Sequence, residues 1–226
     1  MNFYNQYRPR LFQSVVGQTQ ATELLRKQVS QNDVSHSLLF FGPSGTGKTT
    51  TARILAASLC CEHPVNGEPC NECNSCRLAA AGNHWDIQEI NCANLRGIDD
   101  MRQLCYKAYL SPFGPAKIFI LDECHMLTKE AANCLLKLLE EPPPTLTLIL
   151  CTTEIEQLPQ TLISRCQKFA FTKLDSECIK EKLSRICQAI GVTPDPKHLD
   201  FIAQSSAGNL RSAENILQQV CALASK

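Results

Sequence analysis

The sequence predicts an α/β fold, a parallel five-stranded sheet covered by helices and followed by a smaller all-helical unit. Three observations predict it. Short, almost wholly apolar runs (SLLFF at 37–41, KIFIL at 117–121, LTLILC at 146–151) alternate with longer stretches of helical periodicity. Strands that are apolar on both faces belong to parallel sheets buried on both sides. The first run leads directly into Gly42-Pro43-Ser44-Gly45-Thr46-Gly47-Lys48-Thr49, which fits G-x-x-x-x-G-K-[ST] without a mismatch. Beyond Thr172 only helical patterns remain.

In chain order, residues 18–30 read as an amphipathic helix, 37–41 as a buried strand and 48–59 as the helix after the glycine-rich loop. A cysteine-rich segment follows. Residues 86–90 then read as a strand, about 98–109 as a helix, 117–121 as a strand, 129–139 as a helix, 146–151 as a strand and 167–171 as a fifth strand. Three helices close the chain at 176–190, about 196–205 and 209–224, with Gly191, Pro194 and Pro196 punctuating the first link. This divides the chain into a nucleotide-binding domain, 1–172, and a three-helix unit, 173–226.

Composition narrows the functional classes. The 226 residues are 44% hydrophobic, enough for a buried core. Lys+Arg and Asp+Glu balance at 22 each, so net charge gives no argument for a nucleic-acid surface. No stretch approaches the roughly 20 apolar residues of a membrane helix, and residues 1–9 carry no signal-peptide pattern. Fourteen cysteines first suggest a disulfide scaffold, but most are scattered singly, as at Cys105, Cys134, Cys151 and Cys187. Free cysteine there acts as a small hydrophobe, which implies a reducing cytosol.

The loop at 42–49 suits a nucleoside triphosphate with Mg²⁺. Glycines at 42, 45 and 47 let backbone N–H groups approach phosphates, and the next helix presents its positive end to them. Lys48 reaches the β- and γ-phosphates, and the Thr49 hydroxyl ligates Mg²⁺. Thr50 completes the nucleotide-binding set. The loop lacks the G-x-G-x-x-G spacing of a dinucleotide fingerprint. Carboxylates come from Asp122-Glu123, at the C-terminal end of an apolar strand, where parallel sheets place their ligands. Asp122 holds Mg²⁺ through water, and Glu123 polarises the attacking water. His125 reads as a packed or capping histidine.

Cys61, Cys70, Cys73 and Cys76 form a C-x8-C-x2-C-x2-C run. Four thiolates close the tetrahedron of a structural Zn²⁺ and leave no open position. A redox C-x-x-C pair is the alternative. Cys60 adjoins the set but continues the apolar face of the preceding helix.

On these motifs the chain resembles bacterial clamp-loader subunits of the AAA+ ATPase superfamily, of the gamma/tau type found in DNA polymerase III. Besides the cysteine module at about 60–80, the resemblance rests on several further motifs. Tyr7-Arg8-Pro9 with Val15-Val16-Gly17-Gln18 is similar to the family's N-terminal box. Asp122-Glu123-Cys124-His125-Met126-Leu127, Leu138-Leu139-Glu140-Glu141-Pro142-Pro143, Ser164-Arg165-Cys166 and Gly208-Asn209-Leu210-Arg211 also match. The resemblance implies that Tyr7, Arg8, Pro9 and Val16 flank adenine and that Thr153 is the first sensor. It implies that Arg165 is an arginine finger acting on a neighbouring subunit's nucleotide, and that Arg211 is a second sensor coupling nucleotide to a helical lid. It further implies an ATP-driven clamp loader with other loader subunits, a sliding clamp and primer-template DNA as partners, in the cytoplasm. The family's helical collar is not expected within these residues. The alternatives are a non-hydrolysing subunit similar to delta prime, another AAA+ motor such as a branch-migration helicase, or a zinc-dependent DNA-binding module.

Overall fold

A computed structural model describes residues 2–95 and 97–224. In chain order it has α1 (Phe3–Gln6), α2 (Thr19–Ser30), β1 (Ser37–Phe41), α3 (Lys48–Leu59), α4 (Asn74–Ala81), β2 (Ile87–Asn91), α5 (Ile98–Ala108), β3 (Lys117–Asp122), α6 (Lys129–Glu140), β4 (Leu146–Thr152), α7 (Gln160–Ile163), β5 (Gln167–Ala170), α8 (Ser176–Ala189), α9 (Pro196–Ser205) and α10 (Leu210–Ala224). Among the described residues the strands form one sheet in the order β2-β3-β4-β1-β5, every pairing parallel. The expected five-stranded parallel sheet is therefore present.

The period-2 alternation of the strands builds two cores, one on each face. Leu39, Phe119, Leu121, Leu148 and Leu150 point to one face, under α5 and α6. Leu38, Phe40, Ile118, Ile120 and Ile149 point to the other, under α2 and α3. Because both faces are covered, the central strands carry no polar stripe, which explains their unbroken apolar runs. The edge strands β2 and β5 are only partly buried.

Several helices, α6 and α8 among them, start where the sequence supplies an acceptor. Thr128 caps α6 by accepting from Ala131 N at 3.2 Å, and Asp175 caps α8 by accepting from Cys178 N at 2.7 Å. Thr128→Ala is expected to cost about 1 kcal/mol in a urea titration, the usual worth of such a cap.

The last three helices enclose a third cluster that includes Leu183, Ile186, Leu199, Ile202 and Leu217. Phe3, Tyr7 and Val16 of the N-terminal segment pack against it. The backbone N–H of Phe3 donates to Gln218 Oε1 at 2.8 Å, and Lys182 Nζ donates to the Tyr7 carbonyl at 2.6 Å. The start of the chain is thus tied to its last helices, across the mouth of the loop after β1.

Candidate functional site

Parallel strands bring their C-terminal ends to one edge, and the candidate site forms there. Asp122 ends β3, Thr152 ends β4, and the loop 42–47 leaves β1 between β4 and β5. A cavity of about 260 Å³ opens over this edge, bounded by Lys48, Thr49, Asp122 and Glu123 on the sheet side and by Tyr4 and Arg211 opposite.

Lys48 is only 6% exposed, and its Nζ donates to the carbonyls of Gly42 and Pro43, both at 2.8 Å. Burial pushes its pKa down, and Cys151, Glu123 and Asp122 oppose that shift. Thr49 Oγ1 donates to Asp122 Oδ2 at 2.9 Å, so the two expected Mg²⁺ ligands already touch. Ser44, Gly45, Gly47 and Thr50 also line the cavity, while Thr46 is buried and its hydroxyl donates to the Pro43 carbonyl. These residues fit a triphosphate with its cation: an ammonium, a loop of backbone amides and a hydroxyl-carboxylate pair converge on one opening.

Glu123 adopts a left-handed backbone, φ 52°. For a residue with a Cβ this costs on the order of 1 kcal/mol, and such strain is concentrated at functional sites. It turns the side chain toward β4, where Thr153 Oγ1 donates to Glu123 Oε2 at 3.2 Å. His125 Nδ1 lies 3.5 Å from the same oxygen and 3.1 Å from Thr152 Oγ1, and its Nε2 lies 3.7 Å from Glu154. The expected sensor Thr153 therefore meets the expected base Glu123 directly, and His125 packs beside both.

The N-terminal segment divides. Arg8 and Pro9 line the cavity. Tyr7 and Val16, expected beside adenine, pack against the apolar cluster of the last three helices and do not line this cavity. Tyr4 takes a place at the cavity: its ring lies under both the Arg8 and Arg211 guanidinium groups, at 4.5 and 4.3 Å from the centroid, and its hydroxyl accepts from Arg211 at 2.7 Å. Arg211 thus reaches the site by way of Tyr4. Glu214, one turn later on α10, is 2% exposed, and burial pushes its carboxyl up to about 7 against the pull of Lys182, Arg8 and Arg211.

The loop is joined to α10 as well. Gly45 O accepts from Leu210 N at 3.1 Å, and a Cβ on Gly45 would lie 1.9 Å from Asn209 Oδ1, so only glycine fits. Arg165 lies outside the cavity. It donates to the Thr161 carbonyl and pairs with Glu140 on the surface.

Cys61, Cys70, Cys73 and Cys76 converge, their sulfurs all within 4.8 Å of one another. The Cys61–Cys73 and Cys70–Cys76 distances are 4.0 and 3.9 Å. Four sulfurs about 2.3 Å from a central zinc would stand nearly that far apart, so the set fits a tetrahedral metal. Backbone N–H groups of Cys70, Cys73 and Cys76 donate to the sulfurs of Cys61, Cys70 and Cys73 at 3.3–3.4 Å. Amides from Glu72 and Cys73 hold the Cys70 thiol down to about 6, while burial pushes the Cys61 and Cys76 thiols up; the case for a metal therefore rests on the convergence of the sulfurs. Cys60 turns away and donates to the Ala116 carbonyl. Cys76 sits in the first turn of α4, capped by Cys73, a helix within the stretch read from sequence only as a cysteine-rich segment.

A family model described as "DNA polymerase III, delta subunit" matches residues 17–175. The chain belongs to that DNA polymerase III subunit family. Relatives include "DNA polymerase III subunit tau" of Bacillus subtilis (strain 168), 41% identical over 217 residues, 96% of this chain and 38% of the relative. "DNA polymerase III subunit gamma" of Buchnera aphidicola subsp. Baizongia pistaciae (strain Bp) is 36% identical over 227 residues, 99% of this chain and 61% of the relative. The chain therefore spans between about two fifths and three fifths of these relatives' length. The gamma/tau resemblance read from the motifs meets relatives of those names.

Among solved structures, the Thermotoga maritima RuvB Holliday junction branch migration motor superposes with a TM-score of 0.72 at 22% identity, covering 94% of this chain and 64% of that one. At that identity the likeness shows the fold, which this DNA polymerase III subunit family shares. Sequence reasoning missed Tyr4 and Glu214. Tyr4 lay three residues before a recognised box, and Glu214 three residues after a recognised arginine.

Proposed function

We propose that the chain is an ATP-dependent clamp-loader subunit of the gamma/tau type, binding ATP with Mg²⁺ and hydrolysing it to place a sliding clamp on primer-template DNA. The observation that carries this reading is the convergence of Lys48, the Thr49–Asp122 pair and the Glu123–Thr153 pair on one cavity. Lys48 would exchange its two loop carbonyls for the β- and γ-phosphates. Thr49 and Asp122 would hold Mg²⁺, directly and through water, which neutralises charge developing on the phosphoryl oxygens. Glu123, oriented by Thr153, would accept a proton from the attacking water. Arg8 and Pro9, with Tyr4, would border the nucleoside.

Arg165 sits on the surface with Glu140 as partner, which suits a finger offered to a neighbouring subunit's nucleotide. Arg211 would leave Tyr4 for the phosphates and so report nucleotide to α10. In this reading residues 1–172 form the nucleotide domain, 173–226 form a lid, and the partners are other loader subunits, acting in the cytoplasm. No helix among the described residues is long and apolar enough to cross a membrane. The cysteine module would hold Zn²⁺ structurally.

A second reading, a delta-prime-like subunit that does not hydrolyse ATP, draws on the match of residues 17–175 to a family described as "DNA polymerase III, delta subunit". Lys48, Thr49 and Glu123 all border one cavity, which favours hydrolysis. Calorimetry of ATP·Mg²⁺ binding tests the proposal, with Lys48→Ala as control. Binding is expected in the parent, and at least roughly tenfold weaker binding in the variant, the worth of one charge-assisted contact. No binding by the parent, or equal binding by both, would sink the proposal.

A further inference from the structure

We infer that Glu68 is a positioning residue through which the cysteine knot holds the chain segment bordering the nucleotide cavity. The inference rests on the nucleotide reading above. Glu68 lies in the excursion between Cys61 and Cys70 and is 9% exposed. Its Oε2 accepts from Phe12 N at 2.7 Å and its Oε1 from Gln13 N at 3.0 Å. These amides open the short 3-10 turn Phe12–Ser14, whose N-cap, Leu11, has no side-chain acceptor. The first amides of a turn lack internal partners, so the Glu68 carboxylate supplies, from the knot, the cap the local sequence lacks.

The carboxylate is fixed from its own side. Val65 and Glu68 exchange two backbone hydrogen bonds of 3.0 Å. Gly67 has φ 79°, and a Cβ there would lie 2.0 Å from the Arg26 carbonyl, so the tip of the excursion abuts the backbone of α2. Two residues after Glu68, Cys70 N donates to Cys61 Sγ at 3.3 Å, which ties both ends of the excursion to the four-sulfur set. The held segment reaches the cavity in two directions. Upstream, Arg8 and Pro9 line it. Downstream, Val15 stands against the phosphate loop, its Cγ1 3.7 Å from where a Gly47 Cβ would be. Between the segment and the knot lies a separate cavity of about 240 Å³, bordered by Pro9, Arg10, Arg53, Cys76 and Ala79. On that side the two do not pack together.

A group that only stabilised the fold would change melting and nothing else. The test therefore reads ATP affinity by calorimetry, zinc content, and amide hydrogen exchange over residues 8–16 in the parent, Glu68→Ala and Glu68→Gln, each with and without removal of zinc by chelator. Glu68→Ala is expected to keep about one zinc per chain. It is expected to bind ATP roughly tenfold more weakly, the equivalent of about one charge-assisted hydrogen bond, and to exchange faster at Phe12 and Gln13. Glu68→Gln, which retains one acceptor oxygen, falls between. Zinc removal from the parent reproduces the alanine phenotype, and zinc removal from Glu68→Ala adds little. Unchanged exchange at Phe12 and Gln13 in Glu68→Ala or after zinc removal overturns the inference, as does a chain that takes up no zinc. Faster exchange at Phe12 and Gln13 in Glu68→Ala and after zinc removal, with a parent that binds no ATP, overturns the nucleotide reading and leaves the link from knot to segment standing.

Discussion

Glu123→Gln is expected to bind ATP normally and to hydrolyse it roughly 10²–10⁴-fold more slowly, the usual contribution of a positioned general base. The substitution keeps the length and shape of the side chain, the hydrogen bond from Thr153 Oγ1 and the left-handed backbone at φ 52°. It removes only the charge that would take the proton from water. Glutamine can orient a water but is a far weaker base, so the loss should fall on turnover and leave affinity alone. Phosphate release, measured with the partner subunits present because the arginine finger is expected from a neighbour, gives the rate, and calorimetry gives the affinity. A parallel loss of both would show that Glu123 binds nucleotide and performs no proton transfer.

The second large effect concerns stability. Glu214 is 2% exposed, and burial pushes its carboxyl from 4.5 up to about 7, against Lys182 on α8, Arg8 on the N-terminal segment and Arg211 on its own helix. An acid whose pKa is raised by folding holds its proton in the native state after the unfolded chain has released it. Stability from this group is thus fully present below about pH 4.5 and falls as pH rises to about 7. The whole decline is about 3 kcal/mol. Glu214→Gln, which cannot titrate, should lose this slope and be more stable than the parent at pH 8 by a similar amount. Urea titrations of both proteins at pH 5 and pH 8 decide it, since every other titrating group cancels in the comparison. Equal pH slopes would mean that Glu214 is ionised in the folded protein.

The central strands were legible because burial on both faces leaves almost only apolar side chains, and the run ends coincide with β1, β3 and β4 to within one residue. The phosphate loop was legible because its chemistry is local: the spacing of glycines and lysine is the site. Three helices were not. Phe3–Gln6 and Gln160–Ile163 are single turns, shorter than any periodicity can report. Asn74–Ala81 was masked because Cys73 and Cys76 drew attention as ligands, although Cys73 also caps the helix and Gly82 ends it.

In the site, what was missed depends on distant contacts. Nothing near Tyr4 in the sequence announces that two guanidinium groups from positions 8 and 211 will stack on it. A glutamate at 214 reads as a solvated helix position until the N-terminal segment and α8 close over it. The packing of Tyr7 and Val16 against the third core is likewise a contact between distant parts of the chain.

The hydrogen bond from Leu210 N to Gly45 O gives α10 a fulcrum at the loop 42–47. The helix runs 15 residues from that joint, about 22 Å at 1.5 Å per residue. A rotation of about 10° at the fulcrum would carry its far end through about 4 Å on that lever arm. A change of shape at one glycine carbonyl, too small to matter inside the cavity, becomes a displacement as wide as a side chain at the surface where α10 ends.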